Sequence, residues 1–291
     1  MHKGHIISSE KDRYEVLLED GRILACMGRG VFRDKKQTPY VGDYVRVEVH
    51  GEEGRIVELL PRRNLLLRPP VANVDQVLLV QTIVEPEINS LALDKILLMI
   101  ERRKLPILIA FNKRDRLDEK KMESWRKTYQ AADYPVFFTD SRSGEGIKAL
   151  QKSLHGKITA VAGPSGAGKS TMIRRLTGNP DIVIGELSQK TARGKQTTRK
   201  ISLFALEEES FLFDTPGFSS LDLSEISSPA ELASLFPEIR AVSPFCRFRN
   251  CSHIKEPNCA VRQAVKEGKM AQSRYQSYET LLKELENKKN Y

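Results

Sequence analysis

Short apolar runs with β character, separated by glycines, fill the first quarter of the chain. They read EVLLED, RILACM, YVRVEVH and RIVELL. Strands of this length with glycine turns indicate a small barrel or sandwich. Over residues 1–68 we predict an OB-type β-barrel, a fold that commonly binds nucleic acid. The alternative is a barrel that only packs against its neighbour.

A different pattern follows the segment RPPVANVD (68–75), which we interpret as a linker because its two prolines disfavour regular structure. Buried-type runs now alternate with helical stretches: VDQVLLVQTIV precedes LALDKILLMIERR, and PILIAFNK precedes DEKKMESWRKTYQAA. Apolar strands that alternate with helices indicate a mostly parallel α/β sheet. Because the alternation continues through PVFFTD, ITAVAG, KISLFAL and ESFLFDTPG, we assign residues 69–222 to one α/β domain.

The last region, residues 223–291, is polar and predicted to be helical, with a cysteine cluster inside it. Near its end an apolar stripe at helical spacing is expected to be core rather than a partner site. The stripe consists of Tyr275, Tyr278, Leu281, Leu282 and Leu285.

Composition and charge add limits to this picture. A hydrophobic content of 40% and a charged content of 29% are typical of a soluble globular protein. No apolar run approaches the roughly 18 residues that span a bilayer, and the first residues lack an apolar signal core, so we expect a cytoplasmic protein without membrane contact. We also expect a monomer, although no sequence feature determines the oligomeric state. The net charge of +9 favours a polyanionic partner, although it is spread over all three regions.

Residues 163–170 read GPSGAGKS and fit the phosphate-loop pattern G-x-x-x-x-G-K-[ST] between a predicted strand and a predicted helix. Glycines let successive N–H groups turn toward phosphate, and the helix N-terminus adds positive charge. Lys169 would reach the β- and γ-phosphates, and the Ser170 hydroxyl would bind Mg²⁺. The expected nucleotide contacts are Gly163, Pro164, Ser165, Gly166, Ala167, Gly168, Lys169, Ser170 and Thr171.

The sequence NKRD (112–115) ends another predicted strand. The Asp115 carboxylate can accept hydrogen bonds from N1–H and the 2-amino group of guanine, which adenine lacks, so Asp115 would select GTP over ATP. Asn112 is expected to tie loops together, and Lys113 to pack its stem on the base. A second guanine-contacting loop is expected at Ser141, Arg142 and Ser143.

A third motif, DTPG (214–217), follows a buried strand. Asp214 can hold Mg²⁺ through water, and the Gly217 N–H can reach the γ-phosphate. The base-reading motif thus precedes the phosphate loop, which precedes DTPG. Joining the usual termini of a GTPase and opening it elsewhere produces this order, so the sequence predicts a circularly permuted P-loop GTPase. Because DTPG leads into the cysteine cluster, we infer that the nucleotide state moves the C-terminal domain.

The cluster CRFRNCSHIKEPNC has the spacing C-x4-C-x-H-x5-C. Three thiolates and one imidazole form a closed, structural type of zinc site, whose ligands would be Cys246, Cys251, His253 and Cys259. Free buried cysteines beside an ordinary histidine are the alternative. Phe248 lies between the first ligands, either as a ring that stacks on RNA bases or as part of the domain core.

Permuted GTPase motifs, a preceding barrel and a following cysteine cluster together resemble the RsgA (YjeQ) family, bacterial GTPases of late small-subunit assembly. The resemblance covers essentially the whole chain. It implies an OB-fold, a permuted GTPase domain and a helical zinc-binding domain. It also implies GTP, Mg²⁺ and Zn²⁺ as cofactors, rRNA of the small subunit as the partner, and GTP hydrolysis that the subunit stimulates.

The segment QKTARGKQTTRK (189–200) matches the switch loop of that family. Thr197 and Thr198 fit its threonine pair, and we choose Thr198 as the Mg²⁺ ligand. Many GTPases place a water-orienting Gln after DxxG, where this chain has Phe218. The family has a histidine before the threonine pair, where this chain has Gln196. We hypothesise that Gln196 orients the hydrolytic water once the ribosome orders the loop; the alternative is that rRNA or Lys195 supplies the group.

Three other functions stay open at this point. A metabolic P-loop enzyme or kinase would need a dedicated acceptor pocket and would not depend on ribosomes. An RNA-binding protein with a purely structural GTP site would show no turnover, and Phe218 is compatible with that. A permuted GTPase could also act on another RNA or on the large subunit.

Overall fold

The computed structural model describes residues 1–10, 13–28, 38–67, 70–84, 88–179, 201–206, 209–214 and 223–289. The chain forms two compact units, each made from two separate stretches. The first unit comprises Met1–Val77 and Lys148–Gly217, and the second comprises Leu78–Ile147 and Phe218–Tyr291. The three-domain division at 68 and 222 stays a prediction. Within the part of the chain that the structure describes, no helix is both long and apolar enough to span a bilayer.

The elements follow one another in an order that mixes short and long strands with helices of six to eighteen residues. The strands are β1 (His2–Glu10), β2 (Arg13–Leu18), β3 (Ile23–Gly28), β4 (Tyr44–His50), β5 (Glu53–Leu59), β6 (Leu65–Leu67), β7 (Pro70–Ala72), β8 (Gln76–Thr82), β9 (Ile107–Asn112), β10 (Val136–Thr139), β11 (Ile158–Ala162), β12 (Ile201–Ser202), β13 (Phe204–Ala205) and β14 (Phe211–Asp214). The helices are α1 (Ser90–Arg102), α2 (Glu119–Gln130), α3 (Ile147–Leu154), α4 (Lys169–Thr177), α5 (Pro229–Ser234), α6 (Pro237–Val242), α7 (Ala260–Lys266) and α8 (Gln272–Lys289).

The first unit begins with a closed five-stranded barrel. Its strands pair in the order β1-β2-β3-β5-β4, and β4 returns to pair antiparallel with β1, so the ring has no free edge. Alternate side chains point inward, as the period of two predicts. The OB-like barrel expected from the glycine-separated runs is therefore confirmed. Its fully buried core includes Ile6, Val16, Val45, Val47 and Ile56.

The apolar run KISLFAL does not form the single strand that its pattern predicts. Its first part, β12, pairs antiparallel with barrel strand β1, with Ile201 opposite Ser9. Its second part, β13, pairs antiparallel with β14, which in turn pairs parallel with β11. The chain changes sheets within five residues because each half finds a different strand edge to satisfy its backbone hydrogen bonds.

From Pro70 to Asp75, the segment interpreted as a linker is an ordered joint between the barrel and β11. Pro70 occupies the first position of β7, where a strand tolerates proline. The Asn73 side chain donates to the carbonyl of Gly42 at 2.8 Å and accepts from the backbone N–H of Arg63 at 2.8 Å. Asp75 exchanges two bonds with Ile158, through its backbone N–H at 2.9 Å and its carboxylate at 2.8 Å. The barrel is thereby fastened to the strand that leads into the phosphate loop.

In the second unit, β8, β9 and β10 lie side by side in that order, and β9 and β10 are parallel. Every residue of β8 and β9 is buried, which explains their continuous apolar runs. Side chains cap the helices at their first turns: Asn89 accepts from the N–H of Ala92, and Asp118 accepts from that of Lys121. The tyrosine and leucine stripe on α8 is buried, so its prediction as core is confirmed.

Candidate functional site

The phosphate loop lies between β11 and α4, as its motif requires. Gly163, Gly166 and Gly168 have φ angles of 137°, 80° and 89°, a region that side chains rarely adopt. An added Cβ at Gly166 would meet nothing within 4 Å, so the backbone angle rather than space calls for glycine there. Helix α4 begins at Lys169, which places the positive end of a helix at the loop.

The Lys169 ammonium folds back over this loop. Its Nζ donates to the carbonyl oxygens of Gly163 and Pro164, at 2.9 Å each. These contacts hold the cation at the mouth of the backbone turn, where a phosphate group would meet it. Ser165 and Ala167 lie within the same turn, and Ser170 and Thr171 form the first turn of α4.

Strand register brings Asp214 to the same edge. β11 and β14 are parallel, and Asp214, the last residue of β14, is opposite Val161. Gly163, the first residue of the phosphate loop, comes two residues after Val161. The carboxyl ends of parallel strands are where ligands bind in α/β sheets. The Mg²⁺ role of Asp214 stays a prediction. Six other residues of interest lie outside the described residues: Lys195, Gln196, Thr197, Thr198, Gly217 and Phe218.

In the second unit the ends of β9 and β10 carry the two loops predicted to read the base. Asn112 and Thr139 are register partners at these ends. The buried Asn112 Oδ1 accepts from the backbone N–H of Ser141 at 3.0 Å and from its hydroxyl at 2.8 Å. One amide oxygen therefore holds the two loops together.

Of the groups expected to face the base, Asp115, Arg142 and Ser143 are exposed, whereas Ser141 is buried against Asn112. Lys113 has a left-handed conformation, with φ of 62°, and it introduces a short 3-10 turn that contains Asp115. The Asp115 side chain is 58% exposed, with the Arg116 Nε 3.9 Å away. In the second loop, the N–H groups of Arg142 and Ser143 donate to the carboxylate of Asp140, at 2.9 and 3.2 Å. A carboxylate that binds two consecutive N–H groups gives this loop a defined shape.

Gly146 was missed by the sequence analysis, although it follows the second loop closely. Its φ is 73°, and an added Cβ would lie 2.1 Å from the carbonyl oxygen of Phe138. Only glycine lets the backbone pass so close to β10. The local signal was the pair of glycines in SGEG, which marks a tight turn.

A cluster of aromatic rings packs around the strand residues that precede both loops. Phe111 and Phe138, which precede Asn112 and Thr139, stack with centroids 5.5 Å apart. Two rings of α2 extend the cluster: Trp125 lies 5.4 Å from Phe111, and Tyr129 lies 6.1 Å from Phe111. Movement of α2 would therefore be transmitted to the strand ends, because packed interiors do not deform freely.

The cysteine and histidine cluster has the dimensions of a tetrahedral metal site. Its four ligand atoms, from Cys246, Cys251, His253 and Cys259, all lie within 4.8 Å of one another. A zinc tetrahedron with bonds of about 2.3 Å to sulfur and about 2.05 Å to nitrogen has edges of about 3.8 Å for S–S and about 3.6 Å for S–N. The chain shows 3.9 Å between the sulfurs of Cys246 and Cys259, and 3.6 and 3.5 Å from these sulfurs to His253 Nδ1. The residues fit such a metal ion.

The loop that carries these ligands is held by side chains outside the cluster. Although burial opposes its ionisation, N–H donors lower the pKa of Glu256 to about 2. Its carboxylate accepts from the N–H groups of Ser252, Ile254 and Lys255 at 2.6, 3.1 and 3.1 Å. From α8, the hydroxyl of Tyr275 donates to the carbonyl of His253 at 2.7 Å, and Tyr278 donates to that of Ser252 at 2.8 Å.

The Cys251 thiol resists ionisation unless a cation joins it. Burial, together with the thiols of Cys259 and Cys246, raises the pKa of Cys251 to about 12. A bound divalent ion reverses this preference, since a coordinating thiol is deprotonated outright. Metal binding at this cluster would therefore release protons and weaken in acid.

Two aromatic rings beside the cluster face solvent. Phe248 is 43% exposed, and the Arg247 guanidinium lies 5.6 Å from its ring, so Phe248 is not part of the domain core. Phe245 is 80% exposed and was missed by the sequence analysis. The available signal was an apolar residue directly before the first cysteine of a polar segment.

Comparison with known proteins agrees with this architecture. A family model described as RsgA GTPase matches residues 59–224, and one described as RsgA N-terminal domain matches residues 3–56. The Small ribosomal subunit biogenesis GTPase RsgA of Alkaliphilus metalliredigens is 40% identical over 100% of both chains. The protein of that name from Bacillus cereus is 41% identical over 99% of both.

Solved structures also match over nearly the whole chain. YjeQ from Thermotoga maritima superposes with a TM-score of 0.82 at 35% identity, over 98% of each chain. YloQ, described as a circularly permuted GTPase, gives a TM-score of 0.81 at 33% identity, over 99% of this chain and 96% of that one. The predicted fold class, a permuted α/β GTPase with a preceding barrel and a following cysteine cluster, is confirmed. The chain belongs to the RsgA GTPase family.

Proposed function

We propose that this chain is a ribosome-stimulated GTPase of late small-subunit maturation, which hydrolyses GTP to GDP and phosphate to time its own release. Relatives named for small ribosomal subunit biogenesis are about 40% identical over their full length, which supports this function. The observation that carries the choice of nucleotide is the Asn112–Ser141 junction, because it assembles two base-reading loops around one buried amide.

In this proposal different residues bind different parts of the nucleotide. Asp115 binds the guanine edge, with Lys113 against the base and Ser141, Arg142 and Ser143 in the second loop. The backbone of residues 163–168 and the Lys169 ammonium stabilise negative charge on the phosphates as water attacks the γ-phosphorus. Mg²⁺, which would neutralise the same oxygens, would be held by Ser170, Thr198 and Asp214.

The hydrolytic water needs a group to orient it, and we assign this role to Gln196. An amide can both donate to a water and accept from it. The rival assignment gives the role to rRNA or to Lys195. Exchange of Gln196 for Ala distinguishes them: hydrolysis stimulated by the subunit should fall strongly, and unchanged stimulation would favour the rival.

We further propose that the metal at the cluster is structural zinc, since three thiolates and one imidazole leave no ligand position open for chemistry. Phe245 and Phe248 present rings to solvent, and the exposed Arg247 guanidinium lies beside Phe248, a combination that stacks on unpaired RNA bases. The barrel would supply a second RNA contact. As a factor of ribosome assembly, the chain would act in the cytoplasm as a monomer.

Of the alternatives, a permuted GTPase acting on the large subunit or on another RNA is the strongest, because the GTPase machinery would be identical. The name of the relatives, Small ribosomal subunit biogenesis GTPase, favours the small subunit. A kinase is disfavoured by the base-reading junction. A purely structural GTP site predicts no turnover under any condition.

Turnover assays separate these functions. GTP and ATP hydrolysis should be measured with no ribosomes, with small subunits and with large subunits. We expect hydrolysis of GTP alone, accelerated by small subunits alone. Equal GTP turnover in all three conditions would contradict the proposal, and stimulation by large subunits would select the alternative.

A further inference from the structure

A buried ion cluster joins the last helix to the base-reading half of the second unit. Arg274 on α8 is fully buried. Its Nη1 donates to the Asp94 Oδ1 of α1 at 2.6 Å, while Nε and Nη2 donate to the two carboxylate oxygens of Glu238 on α6, at 2.7 and 3.1 Å. One guanidinium therefore fixes three helices that lie far apart in the sequence.

Aromatic rings surround this guanidinium. Its carbon lies 4.8 Å from the ring centroid of Phe236, 5.6 Å from that of Tyr129 and 5.8 Å from that of Tyr134. Burial disfavours the charged form, but the carboxylates of Asp94 and Glu238 hold the pKa of Arg274 well above its usual range. The cation is thus kept charged in a closed pocket whose rings favour a positive group.

Stability alone does not account for such a cluster. Replacing a buried ion triad by apolar side chains of similar size is often neutral or stabilising, because the cost of removing the charges from water offsets their mutual attraction. A planar, forked guanidinium adds a geometric constraint, because its donors meet their acceptors in one arrangement only. The feature therefore points to orientation of the helices.

The cluster connects to the base-reading loops through one tyrosine. The Tyr129 hydroxyl donates to Asp94 Oδ1 at 3.2 Å, the same oxygen that Arg274 contacts. On its other side the Tyr129 ring stacks on Trp125 at 5.9 Å, and both rings pack against Phe111, which directly precedes Asn112. A continuous path of contacts thus runs from α8 to the loop of Asp115.

We propose that Arg274 is a positioning residue for guanine recognition. By holding Asp94 and, through it, Tyr129, it keeps α2 seated against Phe111, so that Asn112 and the loop that follows retain the geometry that receives the base. The proposal rests on the proposed role of residues 112–115 in binding guanine. It adds that the C-terminal helix sets guanine affinity without touching the nucleotide.

A consequence concerns the metal loop. Tyr275 and Tyr278 lie on the same helix, one and four residues after Arg274. Their hydroxyls donate to the carbonyls of His253 and Ser252, respectively. A ligand that shifts this loop would shift α8 and so change guanine affinity. Because linkage is reciprocal, guanine nucleotide would change the affinity for that ligand by the same factor.

The test uses the full chain with its metal and two variants of the path. Tyr129→Phe removes only the hydroxyl and keeps the ring, and Arg274→Met removes the guanidinium. The dissociation constant of a fluorescent GDP analogue and the KM and kcat of GTP hydrolysis are measured well below the unfolding temperature. We expect the dissociation constant of the GDP analogue and KM to rise by about three- to thirtyfold while kcat stays within about twofold, the pattern of an interaction lost equally from the ground state and the transition state.

Two controls separate this role from a general loss of structure. Glu284→Gln breaks the ion pair between Glu284 and Lys95, which joins the same two helices α8 and α1 near the surface, and it should leave GDP affinity unchanged. Asp115→Asn should shift preference from guanine toward xanthine, whose C2 carbonyl accepts from an amide N–H.

The outcomes separate the two proposals. A guanine preference that survives Asp115→Asn contradicts the proposed base reader itself. If Asp115→Asn shifts the preference but the folded fractions of both path variants bind GDP as tightly as the original chain, the role of Arg274 is overturned. Should Arg274→Met not fold, Tyr129→Phe decides, because it leaves the ion cluster in place.

Discussion

The phosphate loop and the base-reading loops are built in opposite ways. The phosphate loop is shaped by eight consecutive residues, and its lysine reaches carbonyls only five and six residues away. The base-reading loops depend on Asn112 binding Ser141, 29 residues on, and on an ion pair between Arg274 and Asp94, 180 residues apart. One site is local backbone geometry, and the other is tertiary packing. Damage far from the nucleotide should therefore reach the base end and spare the phosphate end.

Among the changes considered, removal of the metal should have the largest effect on the base-reading end. Structural zinc contributes on the order of 10 kcal/mol to small metal domains, so a chelator should unfold the ligand loop and loosen α8. We expect zinc release measured by a metal indicator, together with loss of guanine affinity. Because thiolates must form for binding, release should become easier as the pH falls. Equal metal retention at pH 5 and pH 8 would contradict the thiolate ligand set.

Arg274→Met should destabilise the folded chain by about 3–5 kcal/mol, since it leaves the carboxylates of Asp94 and Glu238 buried without their cation. Urea unfolding followed by circular dichroism measures this loss. The matched variant replaces all three residues by apolar ones, Asp94→Leu, Glu238→Met and Arg274→Met, and should recover most of the stability. Recovery of stability without recovery of GDP affinity would separate orientation from stability most clearly.

Lys169→Ala tests the local site. Loss of the cation should lower kcat/KM for GTP hydrolysis by about a hundred- to a thousandfold, comparable to losing one preorganised group that stabilises transition-state charge. The midpoint of thermal unfolding should change little, because the bonds from Lys169 to Gly163 and Pro164 stay within one loop. A large fall in that midpoint would show that the phosphate loop depends on tertiary contacts after all.

His5 provides a long-range contact in the unit of the phosphate loop. Its buried ring stacks on Tyr44 at 4.6 Å and meets Phe211, at the start of β14, edge-on at 4.7 Å. Burial lowers the pKa of His5 from 6.5 to about 4, so the folded chain binds fewer protons than the unfolded chain between these values. Stability should fall by about 3 kcal/mol as the pH drops from about 6.5 to about 4, and then level off.

The control for that pH dependence is His5→Phe, which keeps an aromatic ring but cannot titrate. Urea unfolding of both chains across this pH range should show a flatter profile for the variant. Parallel profiles would mean that other groups cause the acid sensitivity.

The smallest effects are expected at the junction of the two base-reading loops. Asn112→Ala leaves two donors of Ser141 without their acceptor and should weaken GDP binding by about tenfold or more, since each unsatisfied buried group costs about 1–3 kcal/mol. Ser141→Ala removes one donor and keeps the backbone N–H, so a loss of about fivefold or less is expected. Titration with a fluorescent GDP analogue ranks the two variants by their loss of GDP affinity. A larger loss for Ser141→Ala than for Asn112→Ala would mean that the Asn112 amide is not the critical contact.

Motifs made of neighbouring residues were predictable. The phosphate loop and the ligand spacing in CRFRNCSHIKEPNC set their geometry within a few residues, and NKRD carries its chemistry in four, so the residues alone predict the type of each site. The inverted order of these motifs was enough to predict a permuted GTPase, because permutation moves no residue in space. The barrel was predictable for a similar reason, since alternation along each strand reports which side is buried.

Contacts between distant residues were not predictable. KISLFAL was expected to be one strand, and only the available strand edges decided that β12 joins the barrel and β13 joins β14. The exposure of Phe248 and the burial of Arg274 likewise depend on what packs around them. The sequence by itself determined the order and the chemistry of the local motifs. The tertiary structure alone decided which helices hold the base-reading end, because its hydrogen bonds and ring contacts join residues that no local pattern relates.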